Sequence, residues 1–272
     1  SLPDIDFGVV PLHIIVGEND YIDDDKIDLT AMQENLSSYK GKTSTSSPSP
    51  HEWENAFGDA DVVFCITITS SLSGTYNSAV IAKDIYEHNH TGRKVYVLDS
   101  LSTGPEIALF IEKIAELIKA GFAPDDIYKT LLEYKDKTHL YFSLASLNNF
   151  AKNGRISPVI AAGIGLLGVR VVGKASDEGT LLPLDKCRGE KRALKKLIDH
   201  LKECGYTDGK IIIAHNNNEA GALELKKLIE NTFGIFNGTI QKTRALCSYY
   251  AEPGSLLIGF EASLCNHKPY KD

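Results

Sequence analysis

Short runs of apolar, often β-branched residues alternate with stretches of helical spacing along most of this chain. Val9 to Val16 (VVPLHIIV) predicts a strand with an edge-type proline. A helix is expected over Asp28 to Tyr39, then a polar Ser/Thr-rich loop from Lys40 to Pro50. His51 to Phe57 resumes as a helix, with Pro50 suited to its first turn. Asp61 to Thr67 (DVVFCIT) and Lys94 to Leu98 (KVYVL) read as strands buried on both faces. Between them residues 75–88 carry helical spacing, and Gly104 to Ala120 and Asp125 to Asp136 follow as helices. Such alternation predicts a parallel sheet with helices on both faces. Ligands in these sheets sit beyond the carboxyl ends of the strands. The loops after Thr67 and Leu98 therefore share one rim, which the polar loop before residue 51 can reach.

The texture changes near residue 138. Leu140 to Leu144 is strand-like and Leu147 to Asn153 a short helix. Val169 to Lys174 and Leu181 to Asp185 predict a hairpin around Asp177-Glu178-Gly179. Glu190 to Glu203 is amphipathic, Lys210 to Ala214 a strand, Glu219 to Phe233 a helix, and Thr239 and Leu256 to Phe260 lie near late strands. The expected fold class is α/β in two domains. Residues 1–138 would form a three-layer α/β/α domain, and residues 139–272 a smaller two-layer domain with a mixed sheet.

Composition narrows the function classes. A formal net charge of −7 argues against a general nucleic-acid binder. The basic stretch Arg188 to Lys196 reads as a solvated helix face. Five scattered cysteines without C-x-x-C fit thiols in a reducing compartment better than a disulfide framework. With no visible secretory signal and no apolar run long enough to span a bilayer, a cytoplasmic protein is expected.

Most chemical motifs fail on context. Gly163 to Gly168 spells G-x-G-x-x-G, but no good strand runs into it, as a dinucleotide site needs. The histidines are isolated apart from His88 and His90, and no metal-ligand spacing exists, so neither metal nor cofactor is expected. Two hydroxyl-rich turns remain. Ser70 to Thr75 follows a buried strand and opens a helix, where unpaired backbone N–H groups and the positive dipole end attract an anion. A nucleophile elbow would need G-x-S-x-G, and Ser71 stands where that glycine belongs. Ser73 as an ordinary helix cap and as an anion ligand both stay open. Thr45-Ser46-Ser47-Pro48-Ser49-Pro50 alone reads as a linker. Taken together, the two turns can converge on one anion.

These residues carry a resemblance. The loop 45–50 resembles the T-S-x-P-S-P loop of the DegV family, and Leu72 to Tyr76 its L-S-G-T-Y helix opening. Val97-Leu98-Asp99-Ser100, Gly154-Arg155-Ile156-Ser157, Arg188-Gly189 with Ala193-Leu194, and Pro253-Gly254 are similar to its later motifs, in order. The resemblance implies a long-chain fatty acid such as palmitate, stearate or oleate, its tail in an apolar tunnel and its carboxylate held by hydroxyls. The implied ligand-binding residues are Thr45, Ser46, Ser73, Gly74 and Tyr250, with no catalytic residue. A separate fatty acid kinase would receive the acid for acyl-phosphate formation, with Arg155, Arg170 and Arg188 as candidates for contacting it; transient membrane contact is also expected. The chain departs from the family pattern in two places. The sequence starts at about the S-x-L-P segment that follows the family's opening strand and T-D-S-type loop, and Tyr250 stands where a histidine is often found before the closing P-G. A phenol donates a hydrogen bond but carries no charge near neutral pH. Burying about 14 methylenes at ~0.8 kcal/mol each supplies a gross ~11 kcal/mol, so neutral hydroxyls need only orient the headgroup. The alternative is a serine-dependent esterase or phosphotransferase using Ser73; a small-molecule sensor is a third reading.

Overall fold

The computed structural model describes residues 5–156 and 168–262. Gly163 to Leu167 of the glycine motif, Ser157 and Cys265 lie outside the described residues. In chain order the elements are β1 (His13–Val16), β2 (Asn19–Ile22), α1 (Leu29–Ser38), β3 (Thr43–Ser46), α2 (Pro50–Phe57), β4 (Val62–Thr67) and α3 (Thr75–Asn89). They continue with β5 (Lys94–Asp99), α4 (Pro105–Lys119), α5 (Pro124–Lys135), β6 (Thr138–Leu144), α6 (Asn148–Lys152), β7 (Val169–Ala175) and β8 (Leu181–Arg188). The last six are α7 (Glu190–Glu203), β9 (Ile211–His215), α8 (Glu219–Phe233), β10 (Gly238–Lys242), α9 (Ala245–Ala251) and β11 (Leu256–Glu261).

Strands β4 and β5 pair in parallel, and their continuous apolar character is explained by helices on both faces. Trp53 and Phe57 of α2 and Ala79, Ala82 and Tyr86 of α3 pack with Cys65, Val95 and Val97. On the other face Leu109 and Phe110 of α4 and Ile127 and Leu131 of α5 pack with Leu98. This is the expected α/β/α layering. Helix α4 also reaches the second sheet, where Ile212 joins the same cluster. Gly259 on β11 makes that approach possible, because a Cβ there would lie 2.5 Å from the Glu106 nitrogen.

The second sheet has six strands in the order β10-β9-β11-β6-β7-β8, mixed in direction. Its two faces follow from side-chain alternation along β6. Tyr141 points into a core with Leu194, Leu197 and Ile198 of α7 and Ala222 and Leu225 of α8. Leu140, Phe142 and Leu144 point the other way, toward Val171, Ala251 and Leu257. That second face becomes the wall of the site.

The structure departs from the expected elements in four respects. The polar loop 40–50 contains strand β3, which pairs antiparallel with β1, Ile14 opposite Thr45 and Val16 opposite Thr43. Its hydroxyls look loop-like in sequence, but pairing with β1 satisfies the backbone. The first strand begins at His13, not Val9, and β2 on its other edge is too polar (NDYI) to register as a strand. Helix α9 also went unread. No side chain of its own caps it; the buried Asp23 carboxylate, remote in sequence, accepts from the N–H groups of Ala245 (3.0 Å) and Leu246 (3.1 Å). As for the cysteines, Cys65, Cys187 and Cys247 are free thiols, whereas Cys204 is disulfide-bonded, against the expectation of thiols throughout.

Candidate functional site

Strand alternation puts Thr43 and Thr45 on one face of β3, opposite consecutive tyrosines of α9. Thr43 Oγ1 lies 2.6 Å from Tyr249 Oη, and Thr45 Oγ1 lies 2.8 Å from Tyr250 Oη. The Asp23 cap on α9 and the β1 pairing of β3 hold the two sides of this contact. Just beyond β3 the chain turns toward α3. Ser47 Oγ lies 3.0 Å from Ser73 Oγ, which in turn sits 2.7 Å from Thr75 Oγ1 and accepts from the Thr75 N–H at 3.3 Å. Ser78 of α3 fastens the loop by donating to the Pro48 carbonyl at 2.6 Å. From the end of β5, the Asp99 carboxylate accepts from the N–H groups of Ser70 and Leu101, both at 3.1 Å, and so fixes the turns after β4 and β5.

These hydroxyls stand at one end of a cavity whose empty volume is about 880 Å³, its open mouth included. Thr45, Ser46, Ser47, Ser73 and Tyr250 line it, together with Arg155. Its body is apolar: Leu140, Phe142 and Leu144 of β6, Leu257 of β11, Leu246 and Ala251 of α9, and Ala175 and Leu181 of the β7–β8 hairpin. Thr69, Ser102, Thr103 and Cys247 add polar atoms along one side. Among the described residues that line it there is no histidine, aspartate or glutamate.

Electrostatics at this end are mild. Burial pushes the Tyr250 phenol up, opposed by its bond to Thr45 and by the Arg155 charge, so it stays a neutral donor. Its ring packs on Phe150 with centroids 4.8 Å apart. Burial likewise pushes the Cys247 thiol up to about 11. Helix α3 opens at Gly74 without a side-chain cap, so its first N–H groups and the positive dipole end face the hydroxyl cluster. Gly74 has an ordinary helical φ of −73°, and a Cβ there would meet only Ser47 Oγ at 3.6 Å. Nothing in the protein itself demands glycine at this position.

Thr45, Ser46, Ser73 and Tyr250 are thus brought together, with Gly74 beside them. The three arginines separate. Arg155 lies at the cavity, donating from Nε to the Leu72 carbonyl (3.3 Å) and from Nη1 to the Asn153 carbonyl (2.6 Å). Arg170 lies away from it, with Nη1 donating to the Gly254 carbonyl at 2.6 Å and Nη2 3.1 Å from Glu190. Arg188 is exposed at the end of β8. Ser47, Thr75 and the Thr43–Tyr249 pair escaped the sequence reading. Once residues 43–46 are read as a strand, the Thr-x-Thr alternation in Thr43-Ser44-Thr45 marks that face.

A family model described as an uncharacterised protein of the DegV family matches residues 2–263. The chain belongs to the DegV family. A DegV domain-containing protein of Streptococcus pneumoniae is 41% identical over 255 residues, covering 94% of this chain and 91% of its own length. Among solved structures, a DegV family protein from Eubacterium eligens loaded with heptadecanoic acid has a TM-score of 0.94 at 40% identity, covering 97% of this chain and 95% of that one. The Streptococcus pneumoniae Fatty Acid Kinase (Fak) B3 protein loaded with linoleic acid has a TM-score of 0.92 at 40% identity, covering 93% and 90%. The DegV fold is therefore shown for this chain. No helix among its described residues is long and apolar enough to cross a membrane.

Proposed function

We propose that this DegV protein binds one long-chain fatty acid, with the tail in the apolar cavity and the carboxylate at the hydroxyl end, and presents it to a separate kinase. The observation that carries the reading is a cavity lined mainly by apolar side chains and, with them, by the hydroxyl cluster of Thr45, Ser47, Ser73 and Tyr250. Fatty acids in two of the most similar solved structures support it. The tail supplies affinity at ~0.8 kcal/mol per buried methylene. Thr45, Ser46, Ser73 and Tyr250 orient the carboxylate, and neutral donors leave it available for chemistry elsewhere. Gly74 keeps the α3 N-terminus open to the ligand, since no protein neighbour needs the space.

The rest of the reading concerns the partner. Exposed Arg188 is the most available of the three arginines for a kinase. Arg155 belongs to the acid-binding end, and Arg170 is engaged in bracing Gly254. Ser73 as a nucleophile has less support: among the described residues its partners are hydroxyls and one N–H group, and none is a base. Calorimetric titration with oleate and palmitate tests the carrier, alongside labelling by a fluorophosphonate. Saturable 1:1 binding without labelling is expected, and Ser73→Ala should weaken binding roughly tenfold, the worth of one hydrogen bond to a charged group. Covalent labelling lost in Ser73→Ala, with no acid bound, would favour the hydrolase.

A further inference from the structure

The β7–β8 hairpin contributes to one wall of the cavity, and its far end docks on the turns after β4 and β5. Its tip, residues 176–180, closes on itself: the Ser176 N–H donates to the Thr180 carbonyl at 2.8 Å and the Gly179 N–H to the Ser176 carbonyl at 2.9 Å. The arm bends at a bulge between Val172 and Gly173. Among the described residues β8 is the edge strand of its sheet. At the tip, two hydroxyls from the turn after β4 reach across. Thr69 Oγ1 donates to the Gly179 carbonyl at 2.8 Å, and Ser71 Oγ donates to the Glu178 carbonyl.

Gly179 makes the docking possible. Its φ is +77°, and a Cβ there would lie 2.2 Å from Thr69 Oγ1 and 3.1 Å from both Cα and O of Leu101. A Cβ there would push the Thr69 hydroxyl out of its bond to the tip and crowd the Leu101 backbone. Leu181 and Ala175 of the hairpin line the cavity, and so do Leu101 and Thr69 of the two turns on which the tip docks. Lifting the tip therefore parts the cavity wall where Gly179 meets Leu101.

We propose that the β7–β8 hairpin tip is the gate of the cavity, latched by Thr69 and Ser71 onto the carbonyls of Gly179 and Glu178, and that the tail passes under it. The inference rests on the reading of the cavity as an acyl site. Because the acceptors are main-chain carbonyls, the latch depends on the two hydroxyl donors and on glycine at 179. It sets how fast the acid exchanges, while the hydroxyl end sets how the carboxylate is held.

Stopped-flow exit of a preloaded fluorescent long-chain fatty acid into excess phosphatidylcholine vesicles tests the gate. Ser71→Ala removes one neutral hydrogen bond and should speed exit about fivefold. Gly179→Ala, which displaces the Thr69 hydroxyl and strains a φ of +77°, should speed it by roughly tenfold or more, and so should Thr69→Val. Thr69→Ser keeps the donor and should restore a rate near that of the unaltered protein. Should Gly179→Ala or Thr69→Val fold poorly, Ser71→Ala carries the test, since that side chain is exposed and does not line the cavity. Unaltered exit from loaded, folded variants would overturn the gate and leave the acyl site standing. Failure of the unaltered protein to load at all would overturn both.

Discussion

Replacing Tyr250 tests the hydroxyl end most sharply, because the ring and the phenol oxygen have separable roles. Tyr250→Phe keeps the packing on Phe150 and removes only the hydroxyl that bonds Thr45 at 2.8 Å. In the empty protein this deletes one neutral hydrogen bond, so urea unfolding should show a loss of about 1 kcal/mol. Trp53, the chain's single tryptophan, lies in the α2–α3 core and reports that unfolding by fluorescence. With a carboxylate bound, the lost bond is charge-assisted and worth about 1.5–3 kcal/mol, a roughly ten- to hundredfold weaker Kd by calorimetry. The effect on binding should exceed the effect on stability. Thr45→Val should behave alike, and the double variant should show coupling of about 0.5 kcal/mol or more in stability.

The same position makes a pH prediction. Burial raises the Tyr250 phenol, so binding should be flat from pH 6 to 9. Tyr250→His should tighten binding as pH falls through about 6.5, because only the imidazolium attracts the carboxylate by charge. Tyr250→Phe binding oleate as tightly as the unaltered protein, with normal stability, would refute the assignment of this phenol to the carboxylate.

Three further outcomes are expected. Across saturated acids of increasing length, affinity should rise about fourfold per methylene until the cavity is full, then level off; a flat series in calorimetry would argue against tail burial. Asp23→Ala uncaps α9 and should cost about 1–2 kcal/mol in urea unfolding, with weaker fatty-acid binding because α9 carries Tyr250. Glu106, buried where α4 meets β11, has its carboxyl pushed up to about 7 by loss of solvent, against bonds from hydroxyls and the Lys135 charge. The folded state then holds a proton that the unfolded state has released. This stability is fully present below about pH 4.5 and lost as pH rises through about 7, at most ~3 kcal/mol. Glu106→Gln should flatten that slope between pH 5 and 8; an unchanged slope in denaturation would contradict it.

The parallel core was legible because burial on both faces writes itself into continuous apolar strands such as 62–67 and 94–99. Two hydroxyl turns could be suspected of meeting because loops after parallel strands share a rim. What escaped reading depends on partners remote in sequence. Strand β3 exists through its pairing with β1, and a run of Thr and Ser carries no strand signal of its own. Helix α9 is short and is capped by Asp23 from the other end of the chain. The Ser47–Ser73 contact follows from how the loop after β3 is fastened by Ser78 to α3, which no local pattern encodes. Arg170 looked available in sequence, yet the structure commits it to Gly254 and Glu190.

Native mass spectrometry of the protein purified without added lipid, followed by extraction and identification of what it carries, tests the acyl-site reading most directly. One long-chain fatty acid per chain is expected, displaced by excess oleate and held less tightly in Ser73→Ala. Folded protein that carries no acyl chain and takes up neither oleate nor palmitate would contradict it.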